Sequence, residues 1–182
     1  PAPAPPPLSI AILPFAAPAG STADEQFADA VTRDLTTALG RWRIAKVASL
    51  GLAASYKGKP FDPRSIGREL NVLYLVEGDV GSAGEKVTVN TRLVDAGTGT
   101  QAWTVQQELS RSQAARGAGE SAAWLASRLL TGVYNAEKQR AARLQKADAT
   151  PLDLVLQADA SLDKDHSPKG LLEARKLLDD VL

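Results

Sequence analysis

Cysteine and methionine are both absent from this chain, and His166 is its one histidine. Without thiols there is no disulfide, no thiolate metal site and no thiol nucleophile, and a single imidazole rules out a multi-histidine cluster. The same absence leaves the redox compartment open. An excess of one charge is also missing, because 21 Lys and Arg balance 21 Asp and Glu. A nucleic-acid binder carries a basic excess or stripe, and none is present. Aromatic residues make up 5% of the chain, little for a surface that stacks sugars or bases. No run of about 18 apolar residues occurs, so no segment reads as a membrane-spanning helix. A chain that opens on Pro1 and has no Met is expected to be a piece of a longer protein. Its 182 residues suffice for one domain with a proper core, or a domain and a small appendage.

What is present centres on Val72 to Leu109. Val72-Leu73-Tyr74-Leu75-Val76 is apolar on both faces, the pattern of a strand covered on both sides. Gly81-Ser82-Ala83-Gly84 supplies turn chemistry. Next, Val87, Val89, Thr91 and Leu93 alternate with Lys86, Thr88, Asn90 and Arg92, so one face is buried and one wet. Ala96-Gly97-Thr98-Gly99 makes a second turn into Trp103, Val105 and Leu109 at period two. The spacing predicts an antiparallel meander, with Glu77-Gly78 read as a bulge because glycine in a strand often marks one.

The remaining segments read as cover for that sheet. Pro1 to Pro7 is a semi-rigid proline spacer, either a linker or a ligand for an aromatic groove. Leu8 to Phe15 is a short buried strand ended by Pro14. Thr22 as N-cap and Glu25 form a capping box for a helix carrying Phe27, Val31, Leu35, Ala38 and Leu39, with Gly40 just past its end. Ile44 to Ala48 is a second strand, completing a crossover unit. Asp62-Pro63 opens a short helix with Ile66 and Leu70 on its apolar seam, closed by Asn71. Ser110 to Gly119 reads as a polar connection, followed from Glu120 by a long helix with Ala122, Leu125, Leu129 and Val133 buried. Gly132 weakens that helix. Two more helices start at Thr150-Pro151, with Leu152, Val155, Leu156 and Leu162, and at Ser167-Pro168, with Leu171, Ala174, Leu178 and Val181. An isolated hairpin buries too little apolar surface, so further helices are expected after Leu182.

The fold class expected is α+β: a mixed sheet in the order β-α-β-α-β-β-β with helices on one face, plus a C-terminal helical hairpin. The divisions are a linker over 1–7, a sheet domain over 8–135, a helical connector over 136–150 and the hairpin over 151–182.

No residue pattern marks catalysis, a metal site or a bound cofactor. His166 sits with Asp163 and Asp165 in a turn; a metal site needs three or four converging ligands, and the cluster fits a solvated turn with capping residues. The glycines from Gly78 to Gly84 do not lead into a helix, so no dinucleotide or phosphate loop is supported. Glu69, Glu77 and Asp79 offer carboxylates, yet no feature predicts a raised pKa or an aromatic shelf beside them. Trp103 and Trp124 read as core. The ligand or partner candidates are Tyr56, Lys57, Lys59 and Arg64, of which the three basic groups lie near a helix amino end that favours an anion; the alternative is an exposed polar loop.

Several stretches, taken in order, resemble the TolB amino-terminal-like domain and its FlgO-family relative in flagellar outer-membrane proteins. They are Ser9 to Phe15, Phe27 to Thr32, Ser55 to Lys59, Ile66 to Leu70, Tyr74 to Gly78, and Arg92 to Gly99 with Trp103. In such bacterial proteins the module follows a class III cyclase or a winged-helix domain and precedes tetratricopeptide repeats. Ala158 and Ala174 resemble the small residues where paired repeat helices touch, although the turn from Asp163 to Pro168 is longer than a standard repeat allows. The resemblance implies a non-catalytic regulatory or scaffolding module that binds protein partners through the sheet domain or the repeats. Other readings are a small-molecule or anion sensor and an accessory part of a nucleotide cyclase. A periplasmic address is expected, with the cytoplasm as the alternative.

Overall fold

The computed structural model describes residues 4–42, 45–59 and 61–179. Pro1 to Pro3 of the proline stretch, Ile44, Pro60 and Val181 lie outside the described residues. Contacts divide the chain into a first unit ending at Gly132 and a second beginning at Val133.

The first unit is built on a five-stranded mixed sheet, as the α+β reading expects. Its strands are β1 (Ser9–Ile12), β2 (Lys46–Val47), β3 (Tyr74–Ala83), β4 (Lys86–Asp95) and β5 (Thr100–Ser110), in the order β2-β1-β3-β4-β5. Strand β1 runs parallel to both neighbours, while β3, β4 and β5 form an antiparallel meander. The helices are α1 (Thr22–Gly40), α2 (Leu50–Ala54), α3 (Pro63–Leu70), α4 (Arg111–Ala115) and α5 (Gly119–Ala141). Helix α4 occupies the stretch expected to be a plain connection. Its five residues are too few to show helical periodicity, and a Ser110–Gln113 capping box secures it.

Alternation along the strands settles where the helices lie. Ala11, Leu13, Leu75 and Val94 cluster with Ala53 of α2 and Ile66 of α3. On the opposite side, Ser82 donates at 2.6 Å to Asp24 of α1, and Ser82 shares its face with Tyr74, Val76, Gly78 and Val80. Helices therefore cover both faces at the β1 end, not one face as expected. All four residues of β1 are buried in consequence. Beyond α2 and α3 the face that carries Leu75 and Val94 is left wet, where Glu77 stands opposite Arg92 and Asp79 opposite Asn90.

Three local expectations are corrected. The N-cap of α1 is Ser21, not Thr22; Ser21 accepts from the Asp24 amide and its hydroxyl donates to the Asp24 carboxylate at 2.7 Å. Gly40 lies inside α1, whose C-cap is Arg41 in right-handed conformation. At Gly78 the β3–β4 register is unbroken, and the sheet's irregularity lies between Leu93 and Val94 against β5. Gly78 serves close approach instead: a Cβ there would lie 2.4 Å from the Asn90 carbonyl oxygen and 2.5 Å from the Phe15 ring. Gly132 has a similar reason, since a Cβ would lie 2.8 Å from the Trp103 ring. The helical weakness seen in sequence is thus the space that seats a half-buried indole from β5.

The second unit contains the end of α5, a short 3-10 turn over Lys146–Asp148, α6 (Pro151–Lys164) and α7 (Pro168–Leu178). Its seam differs from the expected one. Leu154, Leu156, Ala158 and Ala160 of α6 and Ala174 of α7 are buried, whereas Leu152, Val155, Leu171 and Leu178 are exposed. The shift follows the cap. Thr150 and Asp153 form a capping box, and Asp153 is drawn inward to Arg140, which turns Leu154 rather than Leu152 to the interior.

Candidate functional site

The chain leaves β1 by α1 on one face to reach β2, and returns by α2 and α3 on the other face to reach β3. In such sheets a crevice opens beyond the carboxyl end of the strand where the two routes diverge, and ligands bind there. A cleft of about 500 Å³ occupies that place. Its floor is Leu13, Phe15 and Gly78, and one wall is Glu25 and Asp29 of α1. The other wall is the segment after α2, with Tyr56, Lys57, Lys59 and Phe61. Glu77 and Arg92 reach it from the wet face of the sheet.

Of the four ligand candidates, the fold brings Tyr56, Lys57 and Lys59 together and places Arg64 elsewhere. The Arg64 guanidinium donates twice to the Thr98 carbonyl, at 3.1 and 2.7 Å, and clips the turn between β4 and β5. The amino end of α3 is not open to an anion, since the Asp62 carboxylate already accepts from the Arg64 and Ser65 amides. Lys57 is joined to Asp29 of α1 by an ion pair that bridges the two walls. Glu77 and Asp79 act as cross-strand partners of Arg92, at 3.6 and 3.1 Å, and Asp79 also accepts from Asn90 at 2.7 Å. Their carboxylates are engaged with the sheet and do not form an acid–base couple. Glu25, Asp29, Phe61 and Arg92 belong to the cleft but carry no signal in the sequence. The crossover brings Glu25, Asp29 and Arg92 in from segments that are distant along the chain, while Phe61 follows Lys59 by two residues. His166 is exposed, and among the described residues no group of three or more His, Cys, Asp or Glu is placed to hold a metal ion.

The Tyr56 ring packs against the α2–α3 cluster. Its hydroxyl is shut off from solvent and falls short of good hydrogen-bond geometry, yet it lies close enough to the Glu69 carboxylate to donate towards it and keep its proton. That interaction first, and burial second, push the phenol up to about 12. A neutral phenol in the fold and an ordinary one near 10 in the unfolded chain bind protons unequally between those values. Stability therefore falls as pH rises from about 10. Tyr56→Phe is expected to be less stable than wild type at pH 8 and to flatten the alkaline decline, so that the two converge in urea denaturation as pH rises to about 11.5. An unaltered alkaline slope would show that Tyr56 titrates normally.

No family model matches the chain. A Rhizobium meliloti (strain 1021) protein named "Putative adenylate cyclase 3" is 28% identical over 174 residues, which are 96% of this chain and 30% of that protein. The chain thus spans less than a third of this relative. Among solved structures, TolB from Acinetobacter baumannii is similar with a TM-score of 0.48 and 17% identity, over 73% of this chain and 29% of that one. Lipoprotein GNA1162 from Neisseria meningitidis has a TM-score of 0.47 and 15% identity, over 57% of this chain and 81% of its own. The LpoB C-terminal domain from Escherichia coli has a TM-score of 0.46 and 14% identity, over 57% of this chain and 83% of its own.

Proposed function

We propose that this chain is a non-catalytic regulatory or scaffolding module of a larger bacterial signalling protein, serving protein–protein interaction or signal input beside a nucleotide cyclase. The observation that carries this reading is the alignment. Nearly the whole chain matches within less than a third of a protein bearing a cyclase name, which leaves the greater part of that protein for catalysis. The second unit supports an interaction role through Leu152 and Val155 on α6 and Leu171 and Leu172 on α7, all exposed. A contiguous apolar patch on a helical surface marks a partner site, and these four residues are the ones that would contribute to one. Ala158 and Ala174, both buried in the second unit, support its relation to a tetratricopeptide hairpin. Among the described residues no helix is long and apolar enough to cross a membrane. The periplasmic address rests on the proline-rich stretch before β1 and forms part of the same reading.

The test uses this chain and the Rhizobium relative. The isolated chain, incubated with ATP or GTP and a divalent cation, is expected to form no cyclic nucleotide. Removing the aligned segment from the relative is expected to leave cyclisation measurable with an altered rate. Turnover by the isolated chain overturns the non-catalytic reading. A relative whose rate and concentration dependence survive the deletion unchanged overturns the regulatory one.

A further inference from the structure

We infer that the crevice beyond β1 is a binding site for a small zwitterion with an apolar body, of the free amino acid or dipeptide class. The volume of about 500 Å³ lies in the range of small-molecule sites. Leu13 and Phe15 of the floor are already almost fully buried, so the apolar surface left for a ligand to cover is chiefly that of Phe61, which stands at the lip with 38% of its surface exposed. An exposed phenylalanine beside an apolar hollow is a surface that a ligand's apolar body covers at a gain.

The charged rim selects among apolar ligands. Glu25, Asp29 and Glu77 face Lys57, Lys59 and Arg92, so the rim sums to zero. Two internal couples use up most of it: Lys57 with Asp29, and Arg92 with Glu77 and Asp79. Glu25 on the α1 wall and Lys59 on the opposite wall remain without an ion pair among the described residues. A polyanion would meet three carboxylates around the same mouth, and a lone cation would meet three basic groups. A ligand with one ammonium and one carboxylate satisfies Glu25 and Lys59 together, with charge-assisted hydrogen bonds to each.

Isothermal titration of the chain compares L-phenylalanine and a phenylalanyl dipeptide with 3-phenylpropanoate and 2-phenylethylamine, which keep the ring and one charge each. Saturable binding of at least one zwitterion is expected, with each singly charged analogue at least tenfold weaker, the worth of one charge-assisted contact. Glu25→Gln is expected to weaken the zwitterion while leaving 3-phenylpropanoate unchanged. Lys59→Gln is expected to weaken it while leaving 2-phenylethylamine unchanged. Both residues are exposed, and wild-type circular dichroism and melting will establish that the variants fold. No saturable binding of either zwitterion in the millimolar range, equal binding of a singly charged analogue, or indifference to both substitutions each overturns the inference. This titration is read on the isolated chain and the accessory role on the deleted relative, so the failure of one is not the failure of the other.

Discussion

Replacing Arg140 by Met will destabilise the second unit by about 3 kcal/mol, the lower part of the range for breaking a buried ion pair. Glu137 is fully buried and Asp153 nearly so, and the two carboxylates share one guanidinium as their cation, with Asp153 also accepting from the Thr150 amide and hydroxyl. Arg140 reaches Glu137 through Nε at 3.2 Å and Nη2 at 2.9 Å, and Nη2 also contacts Asp153. Removing the cation leaves two negative charges out of water, and that penalty exceeds whatever the intact triad contributes. The lower end of the range applies because the Arg140 side chain keeps 24% of its surface in contact with solvent. All three tryptophans lie in the first unit, so indole fluorescence will not follow the loss. Hydrogen exchange will, with the amides of α6 expected to exchange about 100-fold faster.

The pH dependence separates this mechanism from lost packing. Burial works to raise the Asp153 carboxyl, but hydrogen bonds from the Thr150 hydroxyl and amide, and then Arg140, outweigh it and hold it below the usual carboxylate range. A depressed folded value stabilises above the unfolded value of about 3.9 and is lost as pH falls through it towards the folded one. The gap between wild type and Arg140→Met should therefore be widest near neutrality and close in acid. A gap constant from pH 7 to about 3 would point to the methylene stem and not the charge.

The sequence made most of the sheet legible because alternation and turn chemistry are local. Val87 to Leu93 and the turn at Ala96 to Gly99 fell where period two and glycine placed them. The seam of α6 did not. Its apolar residues, Leu152, Leu154, Val155 and Leu156, crowd four of five positions on more than one side of the helix, and the choice between them was made by Asp153 seeking Arg140 from another helix. The side taken by α2 and α3 was also hidden, because an apolar strand such as Leu73 to Val76 is equally content with cover on either face. The cleft was half visible. Tyr56, Lys57 and Lys59 sit in one segment, whereas Glu25, Asp29 and Arg92 join them only through the crossover. Arg64, four residues beyond Pro60, was claimed by the Thr98 carbonyl instead.

Gly78 shows what a glycine in a strand means when the register does not break. Gly78→Val is expected to cost about 3 kcal/mol by overpacking, read from the urea midpoint of tryptophan fluorescence. The added Cβ would press on the Asn90 carbonyl oxygen at 2.4 Å and on the Phe15 ring at 2.5 and 2.7 Å. A carbonyl in the β3–β4 ladder has no room to retreat. Phe15 is fixed as well, because its amide donates to the Thr32 hydroxyl of α1 at 3.0 Å and its ring is buried. Gly81 lies three residues on in the same strand, and a Cβ added there would meet nothing within 4 Å. Gly81→Val should therefore lie within about 0.5 kcal/mol of wild type. If loss of strand flexibility were the cause, the two substitutions would behave alike. If crowding of Phe15 is the cause, the cost of Gly78→Ala should drop in a Phe15→Ala background, a coupling that a double-mutant cycle measures directly. The same contact sets the floor of the crevice beyond β1, so a residue that displaces Phe15 there alters the shape of the cleft as well as the stability of the sheet.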